Sequence, residues 1–86
     1  MGAAHVARII GRSGGNINAI REATRTQIEI EKAVPPLQRD MRTVAIRGHA
    51  TDDIRLAARM IQALVDDAEA LIEDVVKKVI NQLLID

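Results

Sequence analysis

The chain has 86 residues, 48% hydrophobic and 28% charged, a balance that suits one globular domain with a modest core and excludes a disordered chain. It holds no cysteine, which removes disulfide frameworks and thiolate metal sites, and no Phe, Trp or Tyr, which disfavours readers that stack bases on aromatic rings. The formal charge of zero is a sum of unlike parts: residues 1–50 carry eight Lys/Arg against four Asp/Glu, and residues 51–86 carry four against eight.

A basic front and an acidic tail lead us to expect an anionic partner at the front, with scattered solvated charges as the competing reading. No apolar run approaches the roughly 20 residues of a membrane span, and no signal peptide is visible. An intracellular domain, cytoplasmic or nuclear, with no membrane partner is therefore expected. The Met1-Gly2 start reads as an artificial boundary.

In chain order, "AAHVARII" places Val6, Ile9 and Ile10 at helical spacing and predicts a short helix stopping at Gly11. A second helix is predicted from about Gly15 to Thr24, with Ile17, Ile20 and either Ala23 or Thr24 on one face. "TQIEIEK" alternates, Ile28 and Ile30 against Glu29 and Glu31, as a half-buried strand does. "AVPPLQRDM" reads as a loop, and "RTVAIRG" as a second strand with Val44 and Ile46 inward, the two strands forming an antiparallel hairpin. Thr51 is a candidate helix cap, with Asp52 and Asp53 in the first turn. Apolar positions then recur from Ile54 to Leu84 without proline or glycine, which allows one very long helix or two separated near "VDDAE". The predicted class is α+β: helix, helix, strand, strand, long helix, with a small antiparallel sheet packed by helices.

The stretch "IIGRSGGNI" crowds Gly11, Gly14 and Gly15 between two helices. Glycine clusters beside a helix cost backbone entropy unless the chain needs their freedom. Here they allow a tight turn and a close approach to a ligand, while the start of the next helix offers unpaired N–H groups that favour phosphate. Arg12 adds a full charge inside the turn and has few structural reasons to be there. The Gly-Lys-Ser/Thr ending of a Walker loop and the strand-borne G-x-G-x-x-G of a dinucleotide site are both absent, so nucleotide hydrolysis is not expected. His5 and His49 are isolated, without ligand partners at metal-binding spacing, so they are expected at the surface, and no metal or cofactor is expected. Asp52–Asp53 and Asp66–Asp67 suit helix starts and a solvated face better than acid–base catalysis. No nucleophile–base set can be assembled, and no enzyme is expected.

"HVARIIGRSGGNINAIREATRTQIEI" resembles the core of the KH domain, whose signature is an Ile-Ile-Gly-x-x-Gly-x-x-Ile run followed by a helix and an "I-x-I" strand. The signature falls on Ile9, Ile10, Gly11, Arg12, Ser13, Gly14, Gly15, Asn16 and Ile17. The downstream "RTVAIRG" and the helix from Ile54 also match, so the resemblance covers roughly residues 3 to 68 and is of the eukaryotic type I order. The wording is especially similar to the KH domain of the large ankyrin-repeat KH scaffold proteins, the Mask group.

The resemblance implies binding of about four nucleotides of single-stranded RNA, or of DNA, in a narrow groove. It assigns the phosphate-facing loop to Gly11, Arg12, Ser13 and Gly14, with Arg8 and Gly15 flanking it. The apolar floor falls to Val6 or Ala7, Ile10, Ile17 and Ile28. Backbone groups of Ile28, Glu29 and Ile30 would read base edges, and Arg21 and Arg42 stand where the family contacts bases. Read from the residues alone, Ile10, Ile17 and Ile28 suit the core better than a ligand, Arg21 and Arg42 suit a solvated surface equally well, and Asn16 suits a helix cap.

Three departures from the family stand out. The family's first strand is absent or truncated, which leaves a two-stranded sheet with an exposed edge unless another segment or chain supplies it. The family's glycine after the second helix is replaced by "EATRTQ", where Arg25 in a left-handed conformation would cost about 1 kcal/mol, unless the turn differs. Ser13 stands where the family's loop usually has a basic residue or glycine. The expected layout is a KH domain over residues 1–68 and a helical extension over 69–86. The extension's apolar stripe is expected either to cover the open sheet edge or to pair with another copy or a protein partner through residues 68–85, the second being preferred. The rival to nucleic-acid binding is accordingly a self-association or protein–protein module with a vestigial groove.

Overall fold

The computed structural model describes residues 3–32, 42–67 and 69–85. The first apolar triplet winds into helix α1, Ala3–Ile10, which buries Val6 and Ile9 and leaves Ile10 half-buried. Gly11 ends it, its N–H donating to the Ala7 carbonyl at 3.0 Å. One 3-10 turn, Arg12–Gly14, leads into α2, Gly15–Thr24. Ile17, Ile20 and Thr24 form the buried face of α2, so Thr24 rather than Ala23 completes the stripe. A buried hydroxyl needs partners. Thr24 Oγ1 donates to the Ile20 carbonyl at 2.7 Å and lies 2.7 Å from Thr26 Oγ1 in a second hydrogen bond.

Arg25 closes α2 in the left-handed conformation, φ 56° and ψ 41°, so the turn keeps the shape that glycine would favour and an arginine bears the strain. Strands β1, Gln27–Lys32, and β2, Arg42–Arg47, pair antiparallel as expected, with Ile28 opposite Ile46 and Ile30 opposite Val44. These four face the helices and the glutamates face out, as the period-2 pattern requires. The expected loop "AVPPLQRDM" lies outside the described residues.

The long apolar pattern resolves into two helices, α3, Thr51–Asp66, and α4, Ile72–Ile85. The break needs neither proline nor glycine. Asp67 is extended, φ −129° and ψ 106°, and its carboxylate accepts the Glu69 N–H at 3.0 Å, which gives the backbone an alternative to another helical turn. Thr51 does not cap α3. It is the first helical residue, Ala50 precedes it in an extended conformation, and no side chain caps the end, while Asp52 and Asp53 occupy the first turn as expected.

The core joins Ile9, Ile17, Ile20 and Ile28 to Ala57, Met60, Ile61 and Leu64 of α3 and Val75 and Val79 of α4. The helix expected as an extension therefore supplies two valines to the same cluster. Its stripe rests on α2 and α3, a covering neither of the two expected outcomes named.

Candidate nucleic-acid interface

The α1–α2 junction owes its shape to three residues with positive φ: Gly11 at 72°, Ser13 at 56° and Gly14 at 76°. A Cβ at Gly11 would lie 2.6 Å from Asn16 Cγ, so the position is closed to any side chain on two counts. Asn16 does not cap α2. Its Nδ2 donates to the Arg8 carbonyl at 2.9 Å, satisfying a group in the last turn of α1 and drawing the two helices together across the loop. Gly15 is different: its φ of −61° is helical and a Cβ there would meet nothing within 4 Å. The clamp between Gly11 and Asn16 and the strain at Ser13 escape sequence reasoning, because only the φ/ψ values reveal which glycines need their freedom.

Arg12 and Ser13 are exposed at the tip. Arg12 makes no side-chain hydrogen bond or ion pair among the described residues. Behind them, α2 begins after a left-handed Gly14 with no side-chain cap, so its first-turn N–H groups keep their partial positive charge. An exposed guanidinium without a side-chain partner among the described residues thus sits in the loop that leads into an uncapped helix start.

Two other candidate arginines are engaged within the protein. Arg8 Nη1 donates to the Val65 carbonyl at 3.1 Å, tying α1 to the last turn of α3, where a cation suits the helix dipole. Arg21 donates through Nη1 to Asn18 Oδ1 at 2.9 Å and through Nη2 to the Ile28 carbonyl. That second bond spans α2 and β1 and uses one of the backbone groups that the resemblance assigns to base reading. Arg42 is half-buried and is not free.

The aliphatic candidates separate by depth. Ile28, Ile17 and Val6 are 1%, 6% and 9% exposed and belong to the interior. Ile10 and Ile30 are half-buried, and Ala7 and Glu29 are exposed. Of the candidate residues, Ala7, Arg12, Ser13, Gly15 and Glu29 are exposed and Ile10, Gly11, Gly14 and Ile30 are half-buried. His5 and His49 are exposed, and no group of three or more His, Cys, Asp or Glu among the described residues is arranged to hold a metal ion. No helix among the described residues is long and apolar enough to cross a membrane.

Residues 3–63 match the sequence profile of the KH domain. The chain is 44% identical over 72 residues to an ankyrin repeat and KH domain-containing protein of Caenorhabditis briggsae, an alignment covering 84% of this chain and 3% of that protein. It is 41% identical over 76 residues to ankyrin repeat domain-containing protein 17 of Mus musculus, covering 85% and 3%. It is 41% identical over 64 residues to the ankyrin repeat and KH domain-containing protein mask of Drosophila melanogaster, covering 74% and 2%. The chain thus spans a few hundredths of the length of these relatives.

Proposed function

We propose, from the premise that this chain belongs to the KH domain family, that it binds a single strand of RNA, or of DNA, through its Gly11–Gly14 loop and the aliphatic surface at Ile10 and Ile30. Single-stranded nucleic-acid binding is the general activity of that family. What supports the loop assignment is Arg12, exposed and without a side-chain partner among the described residues, above an uncapped helix start. The loop holds a phosphate through backbone N–H groups and the Arg12 charge. Ile10 and Ile30 offer apolar surface to the bases, so no aromatic platform is required. Arg21 acts first as a brace between α2 and β1, and any base contact it makes uses the donors left over.

The alternative is self-association through residues 68–85. Val75 and Val79 are already buried against α2 and α3 within one copy, which favours nucleic acid over a dimer formed through those two residues.

The test is the double variant Arg12→Asp/Ser13→Asp, titrated with short single-stranded oligonucleotides and followed by amide NMR shifts. Binding is expected to vanish while far-UV helicity stays intact, and unchanged affinity removes the loop assignment. In the native protein each phosphate contact contributes about −0.7 to the slope of log K against log salt, so a groove that meets a few phosphates gives a shallow dependence.

A further inference from the structure

A concavity with two arginines in its lining lies at the far end of α2, about 15 Å from the loop by the rise of a ten-residue helix. The turn after α2 and the turn after β2 enclose a concavity of about 290 Å³ lined by Arg25, Thr26, Gln27, Arg47, Gly48 and His49. No carboxylate among the described residues lines it. By contrast, Arg55 and Arg59 share their concavity with Asp52, and Lys77 shares its own with Glu22 and Glu73. Arg25, Arg47 and His49 are exposed, and none makes a side-chain hydrogen bond or ion pair among the described residues.

The walls of this cradle are fixed. Thr26 is buried and its hydroxyl is bonded to that of Thr24, and its N–H donates to the Arg21 carbonyl at 3.2 Å. Gly48 packs so closely that a Cβ there would meet Thr26 Cγ2 at 3.2 Å and Ile54 Cγ1 at 3.3 Å. Gln27 and Arg47 are register partners across the sheet and rise from one face. Arg25 is held beside them by a left-handed backbone that an arginine adopts only at a cost. Three cationic or ionisable groups and an amide thus converge on a rigid floor, the donor set that a phosphodiester takes.

We propose that Arg25, Arg47 and His49 form a second backbone-binding site for the same single strand. The choice of ligand rests on reading the loop as a nucleic-acid interface. The cradle adjoins Gln27, the first residue of β1 and the chain neighbour of Ile28.

The experiment compares the native chain with Arg25→Gly/Arg47→Gln, using a ten-nucleotide single strand. Arg25→Gly relieves backbone strain, so lost affinity cannot be blamed on a damaged fold. A drop of about tenfold and a salt slope smaller by about 1 to 2 are expected, since two backbone contacts are removed. The control Arg55→Gln/Arg59→Gln removes equal charge from α3 and is expected to bind like the native chain. An unchanged affinity in the first variant, or an equal loss in the control, overturns the proposal. Amide shifts separate it from the loop assignment. Movement of residues 11–17 without residues 26–27 and 48–49 defeats the cradle alone, and the reverse pattern defeats the loop and keeps the cradle.

Discussion

Asn16 occupies the space that a side chain at Gly11 would need: a Cβ on Gly11 would lie 2.6 Å from Asn16 Cγ, and the Asn16 amide reaches past it to the Arg8 carbonyl at 2.9 Å. One contact thereby accounts for a glycine and an asparagine and links the two helices across the loop. Gly11→Ala is expected to destabilise the domain by about 2 to 4 kcal/mol, through the positive φ and the clash together. Asn16→Ala, which loses one hydrogen bond, costs about 1 kcal/mol. In the double variant the clashes with Asn16 Cγ and Nδ2 are gone and only the 2.9 Å approach to its Cβ remains, so its loss is expected to fall below the sum of the two singles, as read by urea unfolding. Strict additivity contradicts the clamp.

Gly15 answers differently, because its helical φ of −61° and its open surroundings accept a methyl group. Gly15→Ala is expected to raise stability by about 0.5 to 1 kcal/mol. If oligonucleotide affinity falls in this more stable variant, the missing side chain serves the close approach of a ligand. If affinity holds, Gly15 has no such role.

Much of this arrangement was readable in the residues because apolar spacing carries it. Val6 and Ile9, Ile17 and Ile20, Ile28 and Ile30, and Val44 and Ile46 each repeat at the period of the element they form, and the hairpin register keeps both aliphatic rows on one face. The remainder depends on partners far apart in sequence. Nothing near Arg8 tells that its guanidinium reaches Val65, and nothing near Arg21 tells that it meets the Ile28 carbonyl. Both look like free cations in the sequence. The break at Asp67 is hidden for a related reason: a single aspartate accepting the Glu69 N–H stops a helix whose apolar pattern continues on either side.

Arg25 is the other strained residue outside the loop, with φ 56° after the last turn of α2. Its N–H still donates to the Arg21 carbonyl, so the backbone hydrogen bonding of the turn survives replacement. Arg25→Gly is therefore expected to stabilise the chain by about 1 kcal/mol in thermal unfolding. A neutral or destabilising result means that the arginine side chain contributes contacts that outweigh its strain.

In α4, Val75 and Val79 are 5% and 4% exposed within a single copy of the chain. Were the stripe an interface between copies, unfolding would depend on protein concentration, because association stabilises by mass action. The buried valines imply the opposite: a midpoint independent of concentration. Val79→Ala removes two buried methyl groups and opens a small cavity between α4 and its neighbours, at a cost of about 2 kcal/mol. The loss should appear in urea unfolding with the sedimentation coefficient unchanged. A native midpoint that rises with protein concentration, together with a variant that shifts the chain from dimer to monomer and loses that dependence, would return α4 to the role of an interface, and with it the reading in which the groove is vestigial.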